Sequence, residues 1–256
     1  MLHEFTAENL WVISDFDRTF TRWWGETAFG VFESCPSIPD ELKQAQLDNY
    51  MKYRKIEVDL LMNPDERNQH MRDWFHAGMD ALGKYLTQER FEDAVSYGQK
   101  NIHLREWMRD FALRMNELDV PFILNSAGIS DIIRWVLEHN WVPYTGVHWN
   151  SFRFDEQGKF SGLNNLPVHI DDKNWEALPQ DLVEIFSQKT HFLVLWDAVW
   201  DIKMGPSDRS TFNVWFLVWE QKRDEQRFRD VFDHVIESDD CDRWFLAEIS
   251  SWLSGK

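Results

Sequence analysis

Two aspartates separated by one residue follow directly after an apolar run near the N-terminus. The run is Leu10–Ser14, and residues 15–19 then read DFDRT. If the run is a buried strand, the turn at its end places Asp15 and Asp17 in one site, where one carboxylate can attack phosphorus while the other moves a proton. Both can also face a hard divalent cation. The alternative is a solvated acidic turn, so the motif needs support from elsewhere in the chain.

Polar residues also follow two further apolar runs. Residues 125–128, NSAG, come after the run 120–124, and a hydroxyl with free N–H groups at a helix N-terminus can cradle a phosphate. Asp197 follows the run 192–196, and Asp201 lies four residues later on a predicted helical turn, so that both can approach one metal ion. Helix capping by Ser126 or by the aspartates is the simpler alternative in each case.

A lysine lies between these two motifs in the chain. Lys173, in the segment DDKN at 171–174, offers a positive charge that could neutralise a phosphate. A lone lysine is otherwise most often a surface residue.

Strands alternate with helices over most of the chain. This order predicts an α/β fold, a doubly wound Rossmann-like parallel sheet, in which ligands bind at the carboxyl ends of the strands. The predicted strands are Leu10–Ser14, Val120–Leu124, His191–Trp196 and Asn213–Val218, with a hairpin of Phe152–Phe154 and Lys159–Gly162. The predicted helices cover residues 102–118, 129–137, 174–187, 223–231 and 242–253.

Residues 25–101 differ from the rest of the chain. They are charged, helical in period and interrupted by Pro36, Pro39 and Pro64, with few strand-like runs. We expect a mostly helical cap domain here, inserted into a catalytic core formed by residues 1–24 and 102–256.

Composition narrows the range of partners. The chain of 256 residues carries 44 acidic and 27 basic residues, a formal charge of −17, which repels nucleic-acid polymers and anionic membranes. The longest apolar stretches, 192–196 and 214–219, are too short to span a bilayer, and residues 1–14 do not resemble a signal peptide. Cys35 and Cys241 form neither a disulfide framework nor a zinc motif. We expect a cytoplasmic protein that binds a small phosphorylated molecule.

The order of the motifs, DxDxT, SAG, lysine and DxxxD, resembles that of the haloacid dehalogenase superfamily. A closer resemblance is to the cytosolic pyrimidine 5′-nucleotidase family. It rests on DFDRTFT, on IEVD (56–59) and RDW (72–74) in the insert, on NSAGISDII, on the hairpin and on DIKMG (201–205). It covers nearly the whole chain.

The resemblance implies a magnesium-dependent phosphatase. Asp15 resembles the nucleophile, which also binds the metal, and Asp17 resembles the general acid/base, which binds the metal through its carbonyl. Asp197 resembles the third protein ligand of magnesium, and Asp201 an outer-shell carboxylate.

The resemblance also implies how a nucleoside monophosphate would be held. The phosphate-binding groups would be Ser126, the main-chain N–H of Ala127, and Lys173. The cap contacts would be Asp73, at the position of a nucleotide-contacting glutamate, together with Ser96, Trp74 and Phe75, of which the two rings could stack on the base.

The fourth motif departs from the family pattern GDSxxD. Residues 196–201 read WDAVWD, so that Trp196 replaces a glycine and Ala198 a hydroxyl residue. We expect Trp196 either to crowd the metal site or to point into a remodelled cap. The leading hypothesis is a 5′-nucleotidase. The alternatives are a phosphatase for another small phosphate ester and a weak or inactive nucleotide-binding relative.

Overall fold

The fold was determined from a computed structural model, which describes residues 4–57, 59, 61–170, 173–198, 203–217, 225–230, 232–237, 245, 247 and 249. The strands are β1 Leu10–Ser14, β2 Phe122–Ile129, β3 Gly146–Asn150, β4 Phe152–Phe154, β5 Phe160–Leu163, β6 His191–Trp196, β7 Ser210–Phe216 and β8 His234–Ile236. The helices are α1 Val31–Ser34, α2 Asp40–Glu57, α3 Pro64–Tyr85, α4 Gln88–Asn101, α5 Met108–Glu117, α6 Ser130–His139, α7 Gln180–Phe186 and α8 Glu225–Arg229.

Six of the strands form one sheet in the order β3-β2-β1-β6-β7-β8, in which all paired neighbours are parallel. Successive side chains of a strand point to opposite faces of the sheet. In β1, Leu10 and Val12 therefore join the large core cluster on one face, whereas Trp11 and Ile13 join a second cluster on the other. The predicted doubly wound parallel sheet is confirmed.

A helical insertion, α1 to α4, follows β1. Asn63 caps the N-terminus of α3, where its side chain accepts from the N–H groups of Asp65 and Glu66, and Thr87 caps α4 in the same way. Local sequence thus fixes where these helices begin. The β4–β5 hairpin joins the insertion, because Gln88 N–H donates to the Gly158 carbonyl at 2.7 Å. The exact domain boundaries at residues 24 and 101 remain a prediction.

The predicted elements differ from the observed ones at several ends. The predicted strand 120–124 is observed as β2, Phe122–Ile129, which includes residues 125–128 as its irregular last part. The predicted helix over 174–187 is divided at Pro179 into a 3-10 turn, Trp175–Ala177, and α7, because proline ends a preceding helix. Of the predicted last helix, 242–253, only residues 245, 247 and 249 are described.

No helix in the described part of the chain is both long and apolar enough to cross a membrane.

Candidate active site

A cavity of about 460 Å³ lies at the carboxyl ends of β1, β2 and β6, beneath the helical insertion. From the core it is lined by Asp15, Asp17, Arg18, Ser126, Ala127, Gly128, Ile170, Lys173, Asp197 and Ala198. From the insertion it is lined mainly by Glu26, Glu33, Gln46, Tyr50, Arg54, Glu57, Met71, Trp74, Phe75, Gly78 and Met79. The three strand-end motifs of the sequence therefore meet in one place.

Asp15 is buried at the floor of this cavity. Its main-chain N–H donates to the Leu195 carbonyl of β6 at 3.0 Å, and the Phe16 N–H donates to its Oδ1 at 2.7 Å. Its Oδ2 forms an ion pair of 2.7 Å with Nζ of Lys173, which is also buried. One carboxylate oxygen of Asp15 thus lies beside a buried cation within the cavity.

Asp17 lies beside Asp15 and accepts a hydrogen bond of 2.8 Å from the Ala28 N–H of the insertion. Removal from bulk solvent raises the pKa of Asp17 to about 7, and the negative charges of Asp15 and Asp197 add to this effect. The Ala28 hydrogen bond and Arg18 oppose it. A carboxyl group that keeps its proton close to neutral pH can serve as a general acid and then as a base.

Asp197 is buried at the end of β6. Thr19 Oγ1 donates to its Oδ1 at 3.3 Å, and Trp215 Nε1 donates to its main-chain carbonyl at 3.0 Å. Burial, followed by the charge of Asp15, raises the pKa of Asp197, and Lys173 opposes the shift. The threonine of the DxDxT motif therefore orients a carboxylate 178 residues further along the chain.

Ser126 and Ala127, which were predicted to bind the phosphate, both line the cavity. Ser126 is buried, and its Oγ accepts from the Gly128 N–H at 3.0 Å. A Cβ at Gly128 would come within 3.0 Å of the side chains of Ile133 and Ala28, so only glycine permits this close approach.

Two buried asparagines bind the segments that carry Ala127 and Lys173. Asn125 Nδ2 donates to the Lys173 carbonyl at 3.4 Å. Asn150 Nδ2 donates to the carbonyls of Ala127 and Val168, and Asn150 Oδ1 accepts from the Val168 N–H at 2.9 Å. The sequence analysis assigns no role of its own to either asparagine. A polar side chain in a strand does not by itself indicate which distant residues it will contact.

Asp73 and Ser96 do not reach the cavity, contrary to their predicted role as cap contacts. Both are exposed, and Asp73 Oδ1 accepts from Gln69 Nε2 at 2.9 Å on the outer face of α3. Residues at i, i+3, i+4 and i+7 share one face of a helix. On α3 these are Met71, Trp74, Phe75 and Gly78, all of which line the cavity.

Three carboxylates of the cap line the cavity, Glu26, Glu33 and Glu57, and the last of them belongs to the IEVD segment. The Glu57 side chain is buried and forms an ion pair with Arg54. Trp74 lies nearby, with its ring stacked on Tyr53 at 6.0 Å between centroids, so part of the indole is occupied in cap packing. The family resemblance includes the IEVD segment that contains Glu57, but it implies the nucleotide contact at Asp73, which does not line the cavity.

Trp196 lies neither in the cavity nor in the cap. Its ring is fully buried in the second core cluster, on the opposite face of the sheet from the main core, and contacts Phe232 edge-on at 4.5 Å. Both predictions about this residue were therefore wrong. Ala198 does line the cavity, whereas Asp201 lies outside the described residues.

A magnesium ion in this cavity would need several oxygen ligands. Across the described residues, no three His, Cys, Asp or Glu side chains form a metal-binding group. The magnesium ligands that the family resemblance implies are the carboxylates of Asp15 and Asp197 and the main-chain carbonyl of Asp17. The two carboxylates line one cavity and are buried, and the charge of Asp15 contributes to the raised pKa of Asp197. Carboxylate and carbonyl oxygens that face one cavity are hard ligands of the kind that suit this ion.

The parallel sheet, the paired aspartates after β1, the lysine beside them and the helical insertion define a phosphatase of the haloacid dehalogenase type. The family model for pyrimidine 5′-nucleotidase (UMPH-1) matches residues 18–248. The chain belongs to this family, and its relatives are named as 5′-nucleotidases, which are phosphoric monoester hydrolases.

Two curated relatives illustrate the similarity. A 7-methylguanosine phosphate-specific 5′-nucleotidase of Drosophila melanogaster is 27% identical over 247 residues, covering 91% of this chain and 76% of the relative. The protein of the same name from Homo sapiens is 25% identical over 245 residues, covering 91% and 81%.

Solved structures show the same fold. Cytosolic 5′-nucleotidase IIIB bound to cytidine superposes with a TM-score of 0.84 at 24% identity, over 99% of this chain and 89% of the other. A substrate-bound phosphoserine phosphatase superposes with a TM-score of 0.60 at 15% identity, over 96% and 98%.

Proposed function

We propose that this protein is a cytoplasmic, magnesium-dependent 5′-nucleotidase that hydrolyses nucleoside 5′-monophosphates through an aspartyl-phosphate on Asp15. The observation that carries the proposal is the 2.7 Å pair between Asp15 and Lys173, buried in a cavity that also holds Asp17 with a pKa of about 7. Nucleophile, phosphate-binding cation and proton donor are thus adjacent.

In the first step an Asp15 carboxylate oxygen attacks phosphorus, and the bond from phosphorus to the nucleoside oxygen breaks. Asp17 gives its proton to that leaving oxygen. In the second step Asp17 takes a proton from water, whose oxygen attacks the phosphoryl group, so that phosphate leaves and the Asp15 carboxylate is regenerated.

The phosphate dianion would repel Asp15 without compensating charge. Lys173, the hydroxyl of Ser126 and the Ala127 N–H provide it from the protein. Magnesium, held by Asp15, Asp197 and the Asp17 carbonyl, would supply further positive charge.

The insertion is proposed to bind the nucleoside. Its cavity face combines the Trp74 and Phe75 rings with the Glu57–Arg54 pair, and the total volume lies within the roughly 300–1,000 Å³ of small-molecule sites. The relatives carry names that refer to different bases, so the proposal covers nucleoside monophosphates as a class.

Another small phosphate ester is the second candidate, since phosphoserine phosphatase shares the fold. An inactive protein is not favoured, because Trp196 lies away from the cavity and so cannot obstruct it.

The test is phosphate release from a panel of pyrimidine and purine nucleoside monophosphates, 7-methyl-GMP, phosphoserine and p-nitrophenyl phosphate, with magnesium and with EDTA. We expect kcat/KM for at least one nucleoside monophosphate to exceed that for p-nitrophenyl phosphate by about tenfold or more. Activity should disappear in EDTA and return with magnesium. A preference for phosphoserine would establish the second candidate.

Arg18 is a further cation of this cavity, not identified from the sequence. It follows Asp17 directly in the chain with a left-handed backbone, φ 64°, and lines the cavity, and its charge opposes the raised pKa values of Asp17 and Asp197. We expect Arg18→Ala to weaken inhibition by inorganic phosphate by about tenfold, since charge-assisted hydrogen bonds contribute roughly 1.5–3 kcal/mol.

The matched control for Arg18→Ala is Arg134→Ala, because Arg134 is exposed on α6 and does not line the cavity. It should leave phosphate inhibition unchanged. Equal inhibition constants for Arg18→Ala and Arg134→Ala would show that Arg18 does not take part in phosphate binding.

A further inference from the structure

A second cleft, of about 650 Å³, lies where the chain passes between the core and the insertion. Residues 20–25 lead into the insertion and residues 102–106 lead out of it. The two segments pair there, through a bridge between Thr21 and Leu104 and a hydrogen bond of 2.8 Å from Arg22 N–H to the His103 carbonyl. None of the residues that line this cleft lines the active-site cavity.

The charge of this cleft is opposite to that of the molecule. Its lining contains Arg22, Lys100, Arg105 and Arg109 against a single carboxylate, Glu106, in a chain with a formal charge of −17. A concave site lined by one sign of charge concentrates ions of the other sign. The cleft is therefore suited to an anion.

Two of the four cations have structural roles. Arg105 is buried, and its guanidinium donates to the carbonyls of Thr19 at 2.8 Å and Arg18 at 2.7 Å. Arg22 pairs with Glu106 at 3.2 Å. The net positive charge that remains for a ligand therefore comes from Lys100 and Arg109.

Lys100 lies in the last turn of α4 and Arg109 in the first turn of α5, and both are exposed. Within the described ranges, neither has a carboxylate within ion-pair distance. Two unpaired cations in one cleft can hold two or more phosphate groups, because ammonium and guanidinium groups both donate strongly to phosphate oxygens.

An exposed aromatic ring borders the same cleft. Trp24 is 53% exposed, the Arg22 guanidinium lies 5.4 Å from its ring centroid, and the His103 ring lies 5.8 Å away. A nucleobase stacked on an indole gains roughly 1–3 kcal/mol where this occurs. Cations and an aromatic surface together match a nucleotide that carries several phosphates.

We propose that this cleft is a second, non-catalytic site for a polyphosphate group, as carried by a nucleoside triphosphate, with the phosphates at Lys100 and Arg109 and the base at Trp24. The site goes beyond the proposed nucleotidase activity. The cleft is lined by both crossing segments. It is also lined by α4 of the insertion, and by α5 and the end of α6 of the core. A ligand bound here therefore contacts core and insertion together.

The test is calorimetric titration of the whole protein in EDTA with two probes, tripolyphosphate and the non-hydrolysable triphosphate adenylyl imidodiphosphate. We expect Lys100→Gln/Arg109→Gln to weaken binding of both probes by about tenfold or more. The control Lys84→Gln/Arg114→Gln removes the same charge from exposed positions outside both cavities and should change affinity by less than about twofold.

Trp24→Ala distinguishes the two sources of the polyphosphate group. If the nucleotide binds more tightly than tripolyphosphate and Trp24→Ala removes this difference, the site is a nucleotide site. If both probes bind equally well, the site recognises the polyphosphate group alone. Absence of binding overturns the proposal. So does binding that survives Lys100→Gln/Arg109→Gln but is lost in Lys173→Gln, because the anion would then occupy the active site. None of these outcomes depends on turnover, so the proposal and the nucleotidase function fail separately.

Discussion

Replacement of Asp15 by asparagine is expected to abolish phosphate release while the protein stays folded. An amide is nearly isosteric with the carboxylate but cannot attack phosphorus, so we expect kcat to fall by at least about 10⁴-fold. The substitution removes the partner of Lys173, paired at 2.7 Å, but it also relieves repulsion among Asp15, Asp17 and Asp197. These effects on stability have opposite signs, so the melting temperature should change little.

The matched control is Asp73→Asn, the same chemical change on the outer face of α3. Phosphate release from the preferred nucleoside monophosphate and the melting temperature by circular dichroism are measured for both variants. Asp73→Asn should behave as the unchanged protein, because its side chain does not line the cavity. Substantial turnover by Asp15→Asn would mean that another group attacks phosphorus.

The strand-end residues of the site were predictable because the rule that locates them is local. An apolar run that ends in a polar residue places that residue at an edge of a parallel sheet, and the carboxyl ends of parallel strands meet there. Asp15, Ser126 and Asp197 all follow this rule and line one cavity. Lys173 lies in an irregular loop, and its place beside Asp15 depended on the family resemblance.

The cap contacts were harder to predict, because they depend on how each helix is rotated. Asp73 is adjacent to Trp74 in the chain, yet a rotation of about 100° per residue directs it outward. The apolar spacing of Met71, Trp74 and Phe75 indicates the inner face and could have excluded Asp73. No feature of the neighbouring sequence indicates that Glu57, at the end of α2, points into the cavity.

The two edge strands were missed for a different reason. β3 is mostly half-buried and β8 has three residues, so neither shows the continuous apolar run of a central strand. The hydrogen bonds of Asn150 in β3 reach residues 18 and 23 positions away in the chain. Such contacts become visible only when the sheet order is known.

Trp196→Gly is expected to destabilise the protein strongly and to bring no gain in activity. The ring is fully buried and contacts Phe232, so its removal leaves a cavity that costs roughly 3–5 kcal/mol. Glycine within a strand adds a further cost of about 0.5–1 kcal/mol. For a chain of this size, these costs together should lower the melting temperature by roughly 7–24 °C. Turnover per folded molecule should not rise, since the ring does not line the active-site cavity.

Two variants separate loss of the buried ring from loss of any tryptophan. Trp141 is 76% exposed with φ 55°, a conformation that suits glycine, so Trp141→Gly should leave stability unchanged or slightly higher. Trp196→Phe keeps an aromatic ring against Phe232 and removes an indole N–H that has no hydrogen-bond partner in the described structure, so it should cost less than Trp196→Gly. Higher turnover in Trp196→Gly at an unchanged melting temperature would show instead that the indole obstructs the active site. In that case the family would need glycine at this position for the reaction. Trp196 would then not be explained by its packing in the core of this chain.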